Sequence, residues 1–186
     1  RILNILGKSN RGVGARKTTV KPINNDVANS FYDEHHWQGS GALYRSFGAF
    51  YEGILIACMS FSKQRNTGDI ELIRFSTNGY NHSGIFSKLL KFSIDHEKYS
   101  NVISFADLRH SNGDVYHKNG FQLISEIKPD YRYIVNGKTF HKSSFTRLNI
   151  SKKYSIDITT ELDMTKRLDI PRIYDCGKLK FVFKSS

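Results

Sequence analysis

The stretch from Asp69 to Phe92 holds the residues best placed to do chemistry. Ile70, Leu72, Ile73 and Phe75 make an apolar run of strand length, and Thr77-Asn78-Gly79-Tyr80-Asn81 then supplies turn residues. Beyond the turn, Ile85, Phe86, Leu89, Leu90 and Ile94 recur every three or four residues, which predicts a helix to about His96 with Ser83 as its cap. A strand, a glycine-containing turn and a helix N-terminus together present N–H groups and a positive dipole end to an anion. An ordinary strand–turn–helix unit carries the same pattern and is the plain alternative. Arg74 interrupts the apolar run. A buried guanidinium is costly without a partner, so an ion pair with Asp107 or Glu71 is expected.

Two further polar clusters follow the same logic. Asp107-Leu108-Arg109-His110-Ser111-Asn112-Gly113 stands at the C-terminal end of the apolar run Asn101–Ala106, the end at which open α/β sheets bind ligands. Glu34-His35-His36-Trp37-Gln38-Gly39 closes a short predicted helix. Adjacent histidines cannot both face one metal from a regular helix, so the pair alone makes no metal site, and one of them is left as a base or a ligand.

The elements that must position these groups read in order along the chain. Thr18–Lys21 is a first strand closed by Pro22, and Asn24 or Asn25 caps a helix through about Asp33. Ala42–Phe50 and Ile54–Phe61 form a hairpin around Tyr51-Glu52-Gly53. The central strand and helix follow, then strand Asn101–Ala106, a short helix Asp114–Asn119 ending at Gly120, and strand Phe121–Ile124. Tyr131–Val135 and Thr139–Phe145 flank Asn136-Gly137-Lys138, a strong hairpin signal. A helix is expected near Thr160–Leu168, and Pro171–Phe183 reads as strand, turn and strand.

A chain of 186 residues is enough for one domain with a sizeable core, or for one domain and a tail. Residues 1–16 read as a basic, glycine-rich arm or linker and residues 17–186 as the folded domain. The formal charge of +11 and sequence pI near 9.6 point to a polyanion, with DNA ahead of a membrane surface. Arg11 and Arg16 of the arm and the adjoining Lys17, with Trp37 and Arg109, are the residues expected to touch the nucleic acid. Cys58 and Cys176 have no metal-ligand spacing and make no disulfide framework, so a reducing compartment is expected. No run of about eighteen apolar residues is present to span a membrane. The opening residue is Arg, which leads us to expect more chain upstream.

The order strand, helix, three strands, helix, strand, helix, strand, strand resembles the Gcn5-related N-acetyltransferase (GNAT) fold. The residues that carry the likeness are Ala15-Arg16-Lys17, His36-Trp37-Gln38-Gly39, Glu71-Leu72-Ile73-Arg74-Phe75, Ser104-Phe105-Ala106-Asp107, Ser111-Asn112-Gly113, Tyr116-His117-Lys118-Asn119-Gly120-Phe121 and Arg172-Ile173-Tyr174-Asp175-Cys176-Gly177. They resemble most the GNAT-like domain of bacteriophage proteins, often C-terminal to a homing-endonuclease-type nuclease, and more distantly the Mom-like proteins that modify adenine in DNA. The resemblance implies a mixed, mostly antiparallel α/β sheet flanked by helices, in the cytoplasm of a phage-infected host.

It also implies a site. In acetyltransferases the turn after the fourth strand cradles the cofactor pyrophosphate, and Asn81, His82, Ser83, Gly84 and Ile85 stand there, without the usual basic residue and paired glycines. The Mom-like match points to His36, Arg74, Asp107 and Tyr116 as a catalytic constellation. It also makes His36, Asp107 and Tyr116 iron ligands if a metal is bound. Three readings stay open: a transferase placing an acyl- or carbamoylmethyl-type group on a DNA base from an acetyl-CoA-like donor, a non-catalytic DNA-binding module beside an upstream nuclease domain, and an N-acetyltransferase for small amines or proteins.

Overall fold

The computed structural model describes residues 8, 10–64, 67–146, 149, 160, 163 and 166–185. Strands β1 (Thr19–Ile23), β2 (Arg45–Tyr51), β3 (Ile54–Lys63), β4 (Ile70–Thr77), β5 (Asn101–Asp107), β6 (Gln122–Ile127) and β10 (Lys178–Lys184) form one mixed sheet in the order β1-β2-β3-β4-β5-β10-β6. Strands β7 (Tyr131–Val135), β8 (Lys138–His141) and β9 (Arg172–Tyr174) form a second sheet in the order β8-β7-β9. The helices are α1 (Asn25–His35), α2 (Ile85–Glu97) and the single turn α3 (Asp114–His117). No helix among the described residues is long and apolar enough to cross a membrane.

Contacts gather into two units. The first comprises Arg1–Phe105, Asp114–Ile124 and Lys180–Ser186, and the second Ala106–Gly113 with Ser125–Leu179. In the first unit, α1 and α2 cover opposite faces of the sheet. The alternation of β4 shows it: Phe75 packs its ring 4.9 Å from Phe86 of α2, while Ser76 Oγ donates to the carbonyl of His35 at the end of α1. On the α2 side Phe47, Phe61, Phe92 and Tyr99 form an edge-to-face aromatic core. On the α1 side Ala28, Phe31 and Tyr32 close over Cys58. Each large apolar side chain so buried contributes about 1.5–3 kcal/mol.

The α1 face also carries a buried hydroxyl chain. Tyr32 Oη donates to Ser60 Oγ, which donates to Ser46 Oγ, which donates to Asn25 Oδ1, each over 2.8 Å. Every member is thereby satisfied, as burial requires. Burial pushes the Cys58 thiol up to about 11, so it serves as an inert core residue.

The second unit has its own small core, in which Tyr133 packs on Phe145 with Tyr131, Val135, Leu168 and Ile170 around them. Its β7–β8 hairpin turns at Asn136 and Gly137, both at positive φ, as the Asn-Gly signal requires.

Several expectations need correcting. Pro22 lies inside β1, tolerated because β1 is an edge strand with a single partner. Ser83 does not cap α2: Gly84 is the cap residue, at φ 75°, a conformation open to glycine. The segment after Thr139 is a strand only to His141 and then a 3-10 turn, Lys142–Phe145. The expected helix near Thr160–Leu168 lies largely outside the described residues. Within the expected arm, Asn10, Gly12, Val13 and Ala15 are hydrogen-bonded to the β4–α2 turn, as set out below.

Candidate active site

The site begins with an irregularity in β4. On one side β4 pairs with β3 from Ile70↔Lys63 to Thr77↔Ala57, and the register shifts between Ser60 and Phe61, leaving Ile73 as an extra residue. On the other side the parallel ladder to β5 holds three pairs and ends at Leu72↔Ser104. A bulge bends and twists its strand, and this one falls directly after the last pair, so it carries the second half of β4 off the line of β5. Asn78 N donates to Ile56 O on the β3 side. By alternation the backbone groups of Phe75 and Thr77 turn toward the edge that has no ladder partner. An open, extended edge of this kind can hydrogen-bond an extended ligand arm.

Polar side chains meet where the ladder stops. Ser104 Oγ donates to Leu72 O over 2.8 Å, and its single proton thus spoken for, it accepts the hydroxyl of Tyr116 over 2.8 Å. Gly120, at φ 81°, ends the turn that carries Tyr116, and the ring packs on Phe86, Phe121 and Phe181. Burial first, and the charge of Glu71 after it, raise the Tyr116 hydroxyl pKa, so the phenol keeps its proton. Glu71 stands at the penultimate ladder pair and accepts from Gln64 Nε2 at 3.0 Å.

Arg74 follows the bulge. Its Nε donates to Gly39 O at 3.2 Å and its Nη1 to Ile73 O at 3.0 Å, while Nη2 has no protein acceptor among the described residues. The Gly39–Gly41 loop that it grips is tied to α1 as well, with Ser40 N donating to Asp33 Oδ1 and Gly41 N to Asn29 Oδ1. His36, just past α1, accepts from Gln38 N at its Nδ1, which places its proton on Nε2. Burial, then the charge of Arg74, lowers its pKa to about 4. At neutral pH His36 is therefore an uncharged N–H donor and a weak base. Trp37, 59% exposed, stacks beside it with centroids 6.4 Å apart.

The predicted anion turn has a neighbour that the sequence did not reveal. Asn81 N donates to Asn10 O, Gly12 N to Asn81 O, and Ala15 N to Ser83 O. His82, 7% exposed, accepts from Val13 N at Nδ1 over 3.1 Å and donates from Nε2 to Asn78 Oδ1 over 2.8 Å. Lys88 Nζ donates to the carbonyls of Ala15 and Thr18. The amide of Asn81 and the ring of His82 are thus engaged by the chain itself, whereas Ser83, Gly84 and Ile85 lead into the first turn of α2. Arg11, Arg16 and Lys17 are exposed beside this turn.

Asp107 and Arg109 lie in the second unit. Arg109 donates to the Asp107 carboxylate from Nη2 at 2.6 Å, and that pairing holds the carboxyl below its usual range. The charge pair expected between Arg74 and Asp107 is replaced by these separate arrangements: Asp107 bonds to Arg109, and Arg74 to backbone carbonyls. Among the described residues no three His, Cys, Asp or Glu side chains are grouped to hold a metal, and Tyr116 is committed to Ser104. The sequence points to Glu71 as an ion-pair partner for Arg74 and to both Glu71 and Ser104 within resemblance motifs, but to neither as a site residue. The signal for Ser104 was a hydroxyl inside an otherwise apolar strand; for Glu71, a carboxylate three residues before Arg74.

No protein-family model and no curated protein matches the sequence. Solved structures do match the fold. The Escherichia coli ribosomal-protein alanine N-acetyltransferase superposes with a TM-score of 0.53 at 13% identity, over 91% of this chain and 94% of that one. A GNAT-family acetyltransferase of Bacillus cereus gives 0.51 at 10% identity, over 91% and 98%. The yncA protein of Salmonella typhimurium, solved with its cofactor acetyl-CoA, gives 0.51 at 10% identity, over 90% and 94%. With its seven-stranded mixed sheet and helices on both faces, the chain has the GNAT fold.

Proposed function

We propose that the chain is an N-acyltransferase that uses an acyl-CoA-type donor at the β4–β5 split and acts on an amine carried by DNA. The observation that carries this reading is the ladder stop at Leu72 and Ser104 with the protonated Tyr116 hydroxyl at it. The residues present fit such a donor: the open edge at Phe75 and Thr77 suits an extended arm, and the first turn of α2 suits a phosphate. When bound, the donor supplies an acyl group activated as a thioester.

The chain's own groups handle the protons. Transfer to an amine needs a base for the acceptor nitrogen and an acid for the departing sulfur. Tyr116 Oη, kept protonated by burial, would serve as the acid by turning its proton from Ser104 Oγ to the sulfur. Glu71, oriented by Gln64, is the carboxylate available as base. Arg74 Nη2 and His36 Nε2–H are donors able to orient a carbonyl or an anionic acceptor. Asp107 is paired to Arg109 and takes no base role. The +11 charge, with exposed Arg11, Arg16, Lys17 and Trp37, favours DNA as the bearer of the amine, and an exocyclic base nitrogen extruded from the stack is the acceptor class it fits. The phage setting and an upstream nuclease partner belong to this proposal, through the sequence resemblance alone.

One observation favours a second reading, a GNAT-fold DNA-binding module without chemistry. Residues 10–15 lie on the turn that would hold the donor's phosphates and take the amide of Asn81. Mass spectrometry of nucleosides from DNA co-expressed with the chain separates the two. An acylated nucleoside, reduced at least tenfold by Tyr116→Phe, supports transfer; unmodified DNA that nonetheless co-purifies with the chain supports the module. Acylation of small amines with DNA untouched would move the reading to a small-substrate N-acetyltransferase.

A further inference from the structure

The second unit carries an aromatic stack that emerges from its core. Pairing of β7 with β9 sets Tyr131 opposite Tyr174 and Tyr133 opposite Arg172, so these four side chains share one face of the small sheet. Tyr133 is fully buried against Phe145, with centroids 4.5 Å apart. The Arg172 guanidinium lies 5.3 Å from the Tyr133 centroid and 4.5 Å from that of Tyr131, and Nη2 donates to Tyr133 Oη at 3.1 Å. Tyr131 meets Tyr174 at 5.6 Å, and Tyr174 is 58% exposed. The Lys142 ammonium stands 5.8 Å over the Tyr131 ring and is paired with the Asp130 carboxylate at 2.9 Å. The ladder thus runs from a buried ring, through a cation, to a ring open to solvent.

We propose that this face of the β7–β9 sheet is a stacking platform for single-stranded nucleic acid, with a base on Tyr174 and the backbone phosphates toward Arg172. The chemistry decides the occupant. An exposed tyrosine offers a π-face that every base can use, and the guanidinium of Arg172 beside it complements phosphate rather than an apolar protein surface. A duplex hides its base faces in the stack, so it can use only the guanidinium. Ring stacking does not read the sugar, so DNA and RNA strands are both accommodated. The proposal stands on these contacts and is independent of whether the first unit transfers an acyl group.

The test uses the full chain and fluorescence anisotropy with a labelled twelve-nucleotide deoxythymidylate strand, the matching uridylate strand, a labelled duplex of equal length, and unlabelled inorganic polyphosphate as base-free competitor. Tyr174→Ala should weaken binding of the single strands at least fivefold, as loss of one stacked base does. Tyr174→Phe should keep wild-type affinity, and the inhibition constant of polyphosphate should be the same for all three proteins. The exposed position leaves folding intact, checked by an unchanged melting curve. Equal weakening of strand and polyphosphate by Tyr174→Ala, no weakening of either strand, or duplex bound more tightly than both strands overturns the proposal.

Discussion

Replacing Gly12 with Ala tests how firmly the N-terminal segment is built into the β4–α2 turn. A methyl group at Gly12 would lie 2.3 Å from Nδ1 and 2.4 Å from Cε1 of His82, far inside contact distance. The backbone of Gly12 is not in the positive-φ region, so alanine brings no conformational penalty of its own there. The ring must move, and it is nearly fully buried and bonded at both nitrogens, to Val13 N and to Asn78 Oδ1. Losing two such bonds costs about 1 kcal/mol each, and crowding a packed site adds about 1–3 kcal/mol. The expected loss is about 3–5 kcal/mol, which for a chain of this size lowers Tm by roughly 6–20 °C. Urea denaturation of Gly12→Ala, His82→Ala and the double variant supplies the cycle. With the ring removed, the methyl group has room, so Gly12→Ala should cost less than about 0.5 kcal/mol in the His82→Ala background. An equal cost in both backgrounds would refute the close approach, and no cost in either would show that residues 10–15 do not lie on the turn in solution.

Other expectations follow from single contacts. His36 has a folded pKa of about 4, below its unfolded value of 6.5, so its contribution is complete above pH 6.5 and is lost as pH falls toward 4. The loss is about 1–2 kcal/mol because the ring is partly open to water, and urea midpoints at pH 6.5 and 4.5 should converge in His36→Gln. Arg74→Met removes the bonds to Gly39 and Ile73 carbonyls and should cost about 1–2 kcal/mol, with protease sensitivity rising at residues 38–41; unchanged stability and cleavage would remove Arg74 as the clasp of that loop. Affinity for random duplex DNA should fall with salt at a log–log slope of several units, about 0.9 per phosphate contact, and a flat response would remove DNA as the principal partner.

Much of this architecture was written locally, and what was missed depends on residues far apart in sequence. The apolar stripe from Ile85 to Ile94 and the Asn136-Gly137 turn act over a few residues, and both elements formed where their patterns placed them. The cap of α2 was misread because Ser83 has the better side chain, whereas Gly84 has the backbone freedom that the tight turn demands. The glycine-rich run at residues 10–16 suggests a loose linker, yet Gly12 is small because a histidine seventy residues away lies against it. Arg74 stood out correctly as a half-buried cation, but its partners are backbone carbonyls, which carry no sequence signature. The insertion of β10 between β5 and β6, and the departure of β9 to another sheet, are likewise long-range pairings invisible to strand, turn and strand patterning. Ser104 reads as one hydroxyl in a strand until the bulge at Ile73 shows that the ladder ends upon it.

Amide hydrogen exchange across β4 reads whether its open edge receives an acyl-CoA arm. In the free protein the amides of Phe75 and Thr77 should exchange readily, while those of Arg74 and Ser76, bonded toward β3, are protected. Saturating acetyl-CoA should slow Phe75 and Thr77 at least tenfold and leave their neighbours unchanged. Exchange at Phe75 and Thr77 that is indifferent to acetyl-CoA would contradict the account.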